Sequence, residues 1–326
     1  MTTINRRSLL AGGAALGAAG LLPSLAFGQN YPTRPITMVV PWGAGGGTDA
    51  TARIIASLVE RKLGQPINVV NRTGGSGVVG HSAIATAAPD GYTIGMITVE
   101  IAMMHHQGLT DLTPASYTPL GLVNIDPAGI HVSADAYGSY EELVEAVKAA
   151  PAGQLTASGT GQGGIWHLAL IGWLQSIGLE ANHVIWVPSE GAAPAMQELA
   201  AGGVNIVTCS VPEAQSMVDA GRARTLAVMA PERIAGFPDT PALGELGVNY
   251  SVGAWRGIAA PLDLPADIAQ ALGDAVKEAA ASSEFTEFMS GRGFGVRYLP
   301  PEEHASFMAE ADSQMATAMA AAGLAK

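Results

Sequence analysis

The chain has 326 residues, enough for two domains with cores of their own, and its 48% hydrophobic against 13% charged content excludes a disordered chain. A formal net charge of -12 argues against nucleic acid or an anionic membrane surface as partner. The single cysteine, Cys209, excludes an internal disulfide, and its place in the apolar run 204–211 marks it as a buried small hydrophobe.

At the amino terminus Arg6-Arg7-Ser8-Leu9-Leu10 precede an apolar Gly/Ala-rich run to about residue 22 and a small-x-small triplet, Ala26-Phe27-Gly28. This pattern predicts an export signal of twin-arginine character over residues 1–28. A membrane anchor fits less well, because the run falls short of the ~20 residues of a span and Pro23 interrupts it. Cleavage would remove two arginines and no acid, taking the mature charge to -14. The mature chain is then expected in the periplasm.

Residues 36–40 read as a strand, 41–49 as the loop Pro-Trp-Gly-Ala-Gly-Gly-Gly-Thr-Asp, and 49–63 as an amphipathic helix. Glycines allow close backbone approach, and a helix start offers unpaired N–H donors with partial positive charge behind them, so the loop is a candidate anion site. Gly46 is the position where an added side chain is expected to block that approach. A nucleotide P-loop is excluded, since Asp49 stands where its lysine belongs. A plain strand-to-helix turn with Thr48 or Asp49 as N-cap stays open on this loop alone.

The alternation continues with a strand at 67–70, a glycine loop at 71–77, a helix at 78–88 ending before Pro89-Asp90-Gly91, and a strand at 92–98. A second unit begins near Asp126-Pro127. It carries strands at 129–133, 154–158, 183–187, 204–208 and 225–229 and helices at 140–149, 165–177, 192–201 and 212–220; helices at 265–281 and 301–322 close the chain. The expected fold class is α/β, two lobes built on mostly parallel sheet, with no low-complexity linker and hence hinged as rigid bodies.

Ligands of open α/β sheets bind beyond the carboxyl ends of the strands. At that edge fall Trp42, Ala44, Gly45, Gly46, Thr48 and Asp49 of the first loop, Thr98 with the segment to Glu100, Ser158, Gly159, Thr160 and Gly161 of the loop 157–164, then Ser189, Glu190 and Ser210. Gly159-x-Gly161-x-x-Gly164 matches the dinucleotide fingerprint formally, with Glu190 after the next strand, but an exported protein meets little free nicotinamide cofactor. A bland helix-start turn or a small-anion loop is the better reading. Neither Gly-x-Ser-x-Gly nor His-Glu-x-x-His occurs, and nothing near Cys209 activates a thiolate. His105 and His106 are adjacent and expected to point apart, so no metal site is predicted. His167 reads as a packed, hydrogen-bonded histidine, and Glu141-Glu142 and Glu302-Glu303 as first-turn charges favoured by the helix dipole. No catalytic residue and no cofactor is expected: the chemistry is recognition.

In order along the chain, residues 31–37 (Tyr-Pro-Thr-Arg-Pro-Ile-Thr), 41–53, Asn71-Arg72, 89–93 (Pro-Asp-Gly-Tyr-Thr), Ala157-Ser158 with His167-Leu168, 191–195 (Gly-Ala-Ala-Pro-Ala), Ala220-Gly221-Arg222 and Trp255-Arg256-Gly257 before Ala260-Pro261 resemble the extracytoplasmic solute receptors of tripartite tricarboxylate transporters, the Bug or TctC family. The resemblance covers nearly the whole mature chain. It implies a two-lobed periplasmic binding protein of Venus-flytrap type, monomeric, closing on a small organic acid and delivering it to integral membrane permease subunits. Lobe 1 would be about 29–128 plus 252–326 and lobe 2 about 129–251. The first loop and the Ser158 loop would hold the carboxylate through backbone N–H groups and hydroxyls.

Two departures bear on the ligand. Ser189-Glu190 stand where many members resemble Tyr-Lys, and the Ser158 loop is glycine-rich and one residue longer. An acid in place of a cation weakens binding of a second carboxylate, favouring a monocarboxylate, a zwitterion or a ligand with a cationic end. Two other classes stay open: an exported hydrolase or isomerase on a two-lobed scaffold, and a ligand sensor for a membrane signalling protein.

Overall fold

The computed structural model describes residues 31–326, and the expected export signal at 1–28 lies outside the described residues. Among the described residues no helix is long and apolar enough to cross a membrane.

Strand β1 (Ile36–Val40) buries Ile36, Met38, Val39 and Val40, with Thr37 the one partly exposed position, the near-continuous apolar pattern of a strand covered on both faces. Helix α1 (Gly47–Leu63) follows. Its Ile54, Ile55, Leu58 and Val59 recur at helical spacing and are buried, and it stops at Gly64, whose left-handed φ of 69° lets its N–H donate to Glu60 O. Then come β2 (Ile67–Asn71), α2 (Val78–Ala85) and β3 (Thr93–Thr98), with β1 pairing parallel to both β2 and β3.

Next, β4 (Tyr117–Ser133) runs 17 residues, about 55 Å at ~3.3 Å per residue. After it come α3 (Tyr140–Ala149), β5 (Thr156–Ser158), α4 (Ile165–Ser176), β6 (Ile185–Trp186), α5 (Ala192–Ala201), β7 (Ile206–Ser210), α6 (Val211–Asp219) and β8 (Ala223–Val228). The chain returns through β9 (Gly253–Pro261) and ends with α7 (Ala266–Ala281), α8 (Ser283–Ser290) and α9 (Pro301–Ala321).

The strand order is β2-β1-β3-β9-β4-β7-β5-β6, with β8 also on β4. Outer strands joined by helical crossovers are parallel, β5 to both β6 and β7 as well as the β1 group. The two strands that travel between the halves are antiparallel to every neighbour: β9 to β3 and β4, and β4 to β7 and β8. The expected mostly parallel sheet is therefore a mixed one. Strand β4 pairs with β9 as far as Pro127↔Gly253 and switches to β7 from Ala128↔Ser210, so one continuous strand serves both halves of the fold. The half built on β1, β2, β3 and β9 is called the β1 half below, and that built on β5 to β8 the β7 half.

Three histidines are fully buried. His81 is tied to Gly77 O through Nδ1 (2.8 Å) and accepts from the Thr98 N–H at Nε2 (3.2 Å); His131 meets Cys209 O and Thr225 Oγ1; neither nitrogen of His304 has a partner. Burial pushes His81 and His131 down to about 4 and His304 to about 3. These rings stay neutral in the fold while an unfolded chain protonates near 6.5, so their contribution is complete above pH 6.5 and is lost as pH falls toward 4. Each withdraws on the order of 3 kcal/mol. The melting temperature should fall between pH 7 and 4.5, and His304→Leu should make that fall shallower without lowering the value at pH 7, because it removes two unsatisfied nitrogens.

Candidate functional site

The loop between β1 and α1 meets the loop between β6 and α5, and the loop between β5 and α4 meets Ser76 and Gln107, all across the fold. Gly43 N–H donates to Glu190 O at 2.9 Å, Ser76 Oγ to Gln162 O at 2.8 Å, and Gln107 Nε2 to Gly163 O at 3.1 Å, each bond joining the β1 half to the β7 half. Between the halves lies a cavity lined by Trp42, Gly46, Thr48, Thr98, Glu100, Thr160, Trp166, Glu213, Trp255 and Arg256 among others. Its free space is about 20 Å3, room for roughly one water molecule.

Arg256, on β9, is 2% exposed and sits at the floor. Its Nε donates to Thr48 Oγ1 (3.1 Å), Nη1 to Asn124 Oδ1 and to Asp126 Oδ2 (2.6 Å), and Nη2 to Glu213 Oε1 (3.2 Å). Burial works against the guanidinium charge, but Glu213 and Asp126 outweigh it and hold its pKa above the ordinary arginine value.

Two of the helix starts at the cleft, those of α1 and α4, are each met by a carboxylate from the opposite half, whereas Gly191 and Ala192 at the start of α5 line the cavity without one among the described residues. Gly47 N–H, the first residue of α1, donates to Glu213 Oε1 at 2.9 Å; Ile165 N–H, the first residue of α4, donates to Glu100 Oε1 at 3.2 Å. Both are the anion positions that unpaired helix N–H groups and the dipole favour. Glu213 is complete: Oε2 also accepts from Ser210 N (3.2 Å) and Ser210 Oγ (2.8 Å), a capping box at the start of α6. Glu100 is buried with Thr98 Oγ1 donating to Oε2 at 2.5 Å, and burial pushes its carboxyl up despite these bonds.

Of the residues expected at the site, Trp42, Gly46, Thr48, Thr98 and Thr160 line this cavity. The others stand around it. Ala44 and Gly45 are exposed. Asp49 is not an N-cap: it accepts from Gly45 N–H (3.0 Å), Arg53 (2.9 and 3.0 Å) and Asn71 Nδ2 (2.9 Å), bracing the loop from behind, while Gly46 holds the N-cap position. Burial tends to raise the Asp49 carboxyl, but Arg53, the Gly45 amide and Asn71 together bring it below the ordinary value. Ser158 turns its hydroxyl inward to Val187 O (2.7 Å), and Ser189 bonds Gly191 O (3.0 Å). Gly159 is packed so closely that a Cβ would stand 2.4 Å from Thr208 O, and at Gly161 it would stand 2.4 Å from Ser76 Oγ. Ser210 caps α6. Glu190 reaches the opposite half with its carbonyl, and its side chain is exposed.

The acids at the cleft are thus Glu213 and Glu100. Sequence reasoning missed Glu213 and gave Arg256 no role of its own; the signal for the latter was a lone arginine inside an apolar strand-like run, 253–261. His167 is packed as expected, accepting from Gly163 N–H at Nδ1 (3.0 Å) and stacked on Trp186. His105 and His106 do converge: both Nε2 atoms lie 2.9 and 3.0 Å from Asp312 Oδ1, because the tight turn at 103–108 is neither helix nor strand. Among the described residues these three form the one group whose donors could meet a metal ion. Both rings share the one carboxylate oxygen, and His105 Nδ1 is buried without a hydrogen-bond partner. Cys209 is fully buried, and burial pushes its thiol well up, which removes it as a nucleophile.

Two α/β halves that share the strands β4 and β9 and close their glycine loops over a cavity define a two-lobed solute-binding protein. The description "Tripartite tricarboxylate transporter family receptor" (TctC) matches residues 51–324. The chain belongs to this family. BugT of Bordetella pertussis is 30% identical over 295 residues, covering 86% of this chain and 87% of that protein. Among solved structures, the periplasmic binding protein BugD is similar at a TM-score of 0.84 with 28% identity, covering 91% of this chain and 100% of that one. A protein of R. palustris solved with adipate is similar at 0.84 with 26% identity, covering 91% and 99%.

The glycines make the geometry testable. A Cβ on Gly47 would lie 2.7 Å from Arg256 Nη2, 2.8 Å from the Phe294 ring and 2.9 Å from Glu213 Oε1, whereas on Gly46 its nearest neighbour is 3.6 Å away. Within the fold itself, the lack of a side chain is required at Gly47 and not at Gly46. Gly47→Ala should cost about 1–3 kcal/mol by overpacking, read as a lower melting temperature, with Gly46→Ala near wild type. Arg256→Met should cost about 3–5 kcal/mol in chemical denaturation, because it leaves Asp126 and Glu213 buried without a cation.

Proposed function

We propose that this protein is a periplasmic receptor that captures a small organic carboxylate by closure of its two lobes and passes it, as a monomer and without catalysis, to an integral membrane permease. The observation that carries this reading is a pair of unsatisfied polar atoms on residues that line the cavity. Thr160 Oγ1 and Trp255 Nε1 are both buried with no hydrogen-bond partner. Buried polar groups are paired in the great majority of cases, and an unpaired hydroxyl and an unpaired indole N–H are donors open to an oxygen acceptor.

The lobes are proposed as 29–128 plus 252–326 and 129–251, supported by the change of partner along β4 after Pro127. With the halves joined as they are, the cavity is too small for an organic acid, so admission requires the lobes to part. A ligand that bridges both lobes then stabilises the closed form through contacts the open form lacks. Trp42, Gly46, Thr48, Thr98 and Thr160 are the proposed contacts among the sequence candidates. The adipate bound by the R. palustris relative supports a carboxylate as the recognised group.

Purified mature protein should gain thermal stability from a small carboxylate and contract in solution scattering, with the ligand recovered chemically unchanged by NMR. Thr160→Val keeps the shape of the side chain and breaks no internal hydrogen bond. It should leave the unliganded melting temperature in place while weakening binding by about tenfold. Unaltered affinity in that variant would count against the Thr160 loop as the ligand seat.

A further inference from the structure

Three side chains that the cleft does not use converge elsewhere on the β1 half. His105 and His106 lie on the turn at 103–108, beyond β3, and Asp312 lies on α9. Adjacent side chains on a helix or strand point apart. On this irregular turn they do not: the two rings stand 3.9 Å apart, tilted by 43°, and each sets its Nε2 against Asp312 Oδ1, at 2.9 and 3.0 Å. One ligand atom from each of the three residues lies within 4.8 Å of the others. A tetrahedral divalent ion bonded at about 2.0–2.1 Å keeps its ligand atoms about 3.3 Å apart. The two nitrogen–oxygen pairs therefore need to widen by only a few tenths of an ångström to admit an ion.

The frame around the three donors is firm. Met103 and Met104 are fully buried, Gln107 and Leu109 N–H groups close the turn on Met104 O, and Lys326 N–H holds His106 O at 2.9 Å. Helix α9 packs against the segment 99–102 that leads into the turn. The side chains of His105, His106 and Asp312 are 16%, 23% and 31% exposed, shielded but reachable from solvent. Among the described residues no lysine or arginine pairs with Asp312, so its counter-charge must come from the two rings or from a cation. We propose that His105 Nε2, His106 Nε2 and the Asp312 carboxylate bind a divalent transition-metal ion of the zinc class, with water in the fourth position. Two imidazoles and one carboxylate suit that class, whereas magnesium and calcium take oxygen ligands. Binding shifts the proton of each neutral ring from Nε2 to Nδ1, leaving the Nε2 lone pair to the metal. Nδ1 of His105 bonds nothing in the present arrangement, and the Ile101 carbonyl, the backbone acceptor acting on that ring, is the group a proton on Nδ1 takes up. The ion fastens the turn to α9, one residue from Gln107, whose side chain reaches Gly163 O in the other half.

The test is calorimetric titration of the tag-free mature chain, first stripped with a chelator, with zinc chloride and, separately, magnesium and calcium chloride. One equivalent of zinc should bind, and neither of the other ions at the same concentration. His106→Ala and Asp312→Asn each remove a ligand and should weaken zinc by about tenfold or more. Absence of the zinc equivalent in the wild type overturns the site, as does unaltered zinc affinity in either folded variant, which marks adventitious binding elsewhere. Magnesium or calcium bound as tightly as zinc overturns the class of ion. Should neither variant fold, the assigned imidazole NMR spectrum of the wild type decides: zinc should shift the His105 and His106 rings, and shifts confined to other histidines overturn the site.

Discussion

The guanidinium of Arg256 is the constraint around which the rest of the fold is arranged. A buried cation costs several kcal/mol unless it is fully paired, so the chain must bring its acceptors to one point. They come from the start of α1 (Thr48), from the crossing strand β4 (Asn124 and Asp126) and from the capping box of α6 (Glu213), while Arg256 itself sits on the returning strand β9. These partners lie 43 to 208 residues away in the chain. Two strands that link the halves and two helices that belong to opposite halves are thereby held at a single residue, at the floor of the cleft.

From this follows the electrostatic character of the cavity. A helix start ordinarily invites an external anion, and a glycine loop lets it approach. Here the starts of α1 and α4 are each answered by a carboxylate of the other half, Glu213 on Gly47 and Glu100 on Ile165, while the start of α5 at Ala192 is not. The same contacts that join the halves therefore occupy the positions a glycine-loop argument assigns to a ligand. The fold leaves two polar atoms on cavity-lining residues unsatisfied, Thr160 Oγ1 and Trp255 Nε1. Two receptors with the same fold and the same glycine loops can differ in ligand class through which side chains complete those loops from across the cleft.

Asp49 shows how a motif can be right in place and different in role. It stands in the first loop as expected, yet it works behind the loop, tying Gly45, Arg53 and Asn71 together. Ser158 and Ser210 likewise spend their hydroxyls on Val187 O and Glu213. In all three, a polar residue near a cleft met a backbone or side-chain partner within hydrogen-bond distance before any ligand could.

Local pattern by itself determined the helices with clean caps and apolar stripes: α3 and α5 fall on the residues the periodicity names, 140–149 and 192–201, since Ser139 and Gly191 precede them and Gly202 ends the second. It also determined the alternation of strands and helices, the packed His167 and the buried Cys209. The ordered motifs were enough to place the chain in its family. The first part of β4, the strand β9 and helix α8 were not legible. Pro119, Gly121, Asn124, Asp126 and Pro127 interrupt the apolar alternation of β4, and Arg256 does so in β9, because those residues answer partners far along the chain rather than the periodicity of their own strand. The mixed sheet, the exchange of carboxylates across the cleft and the two unpaired donors were decided by tertiary structure alone: hydrogen-bond geometry between residues scores apart in sequence has no local signature, and which acid faces a helix start depends on how the halves meet.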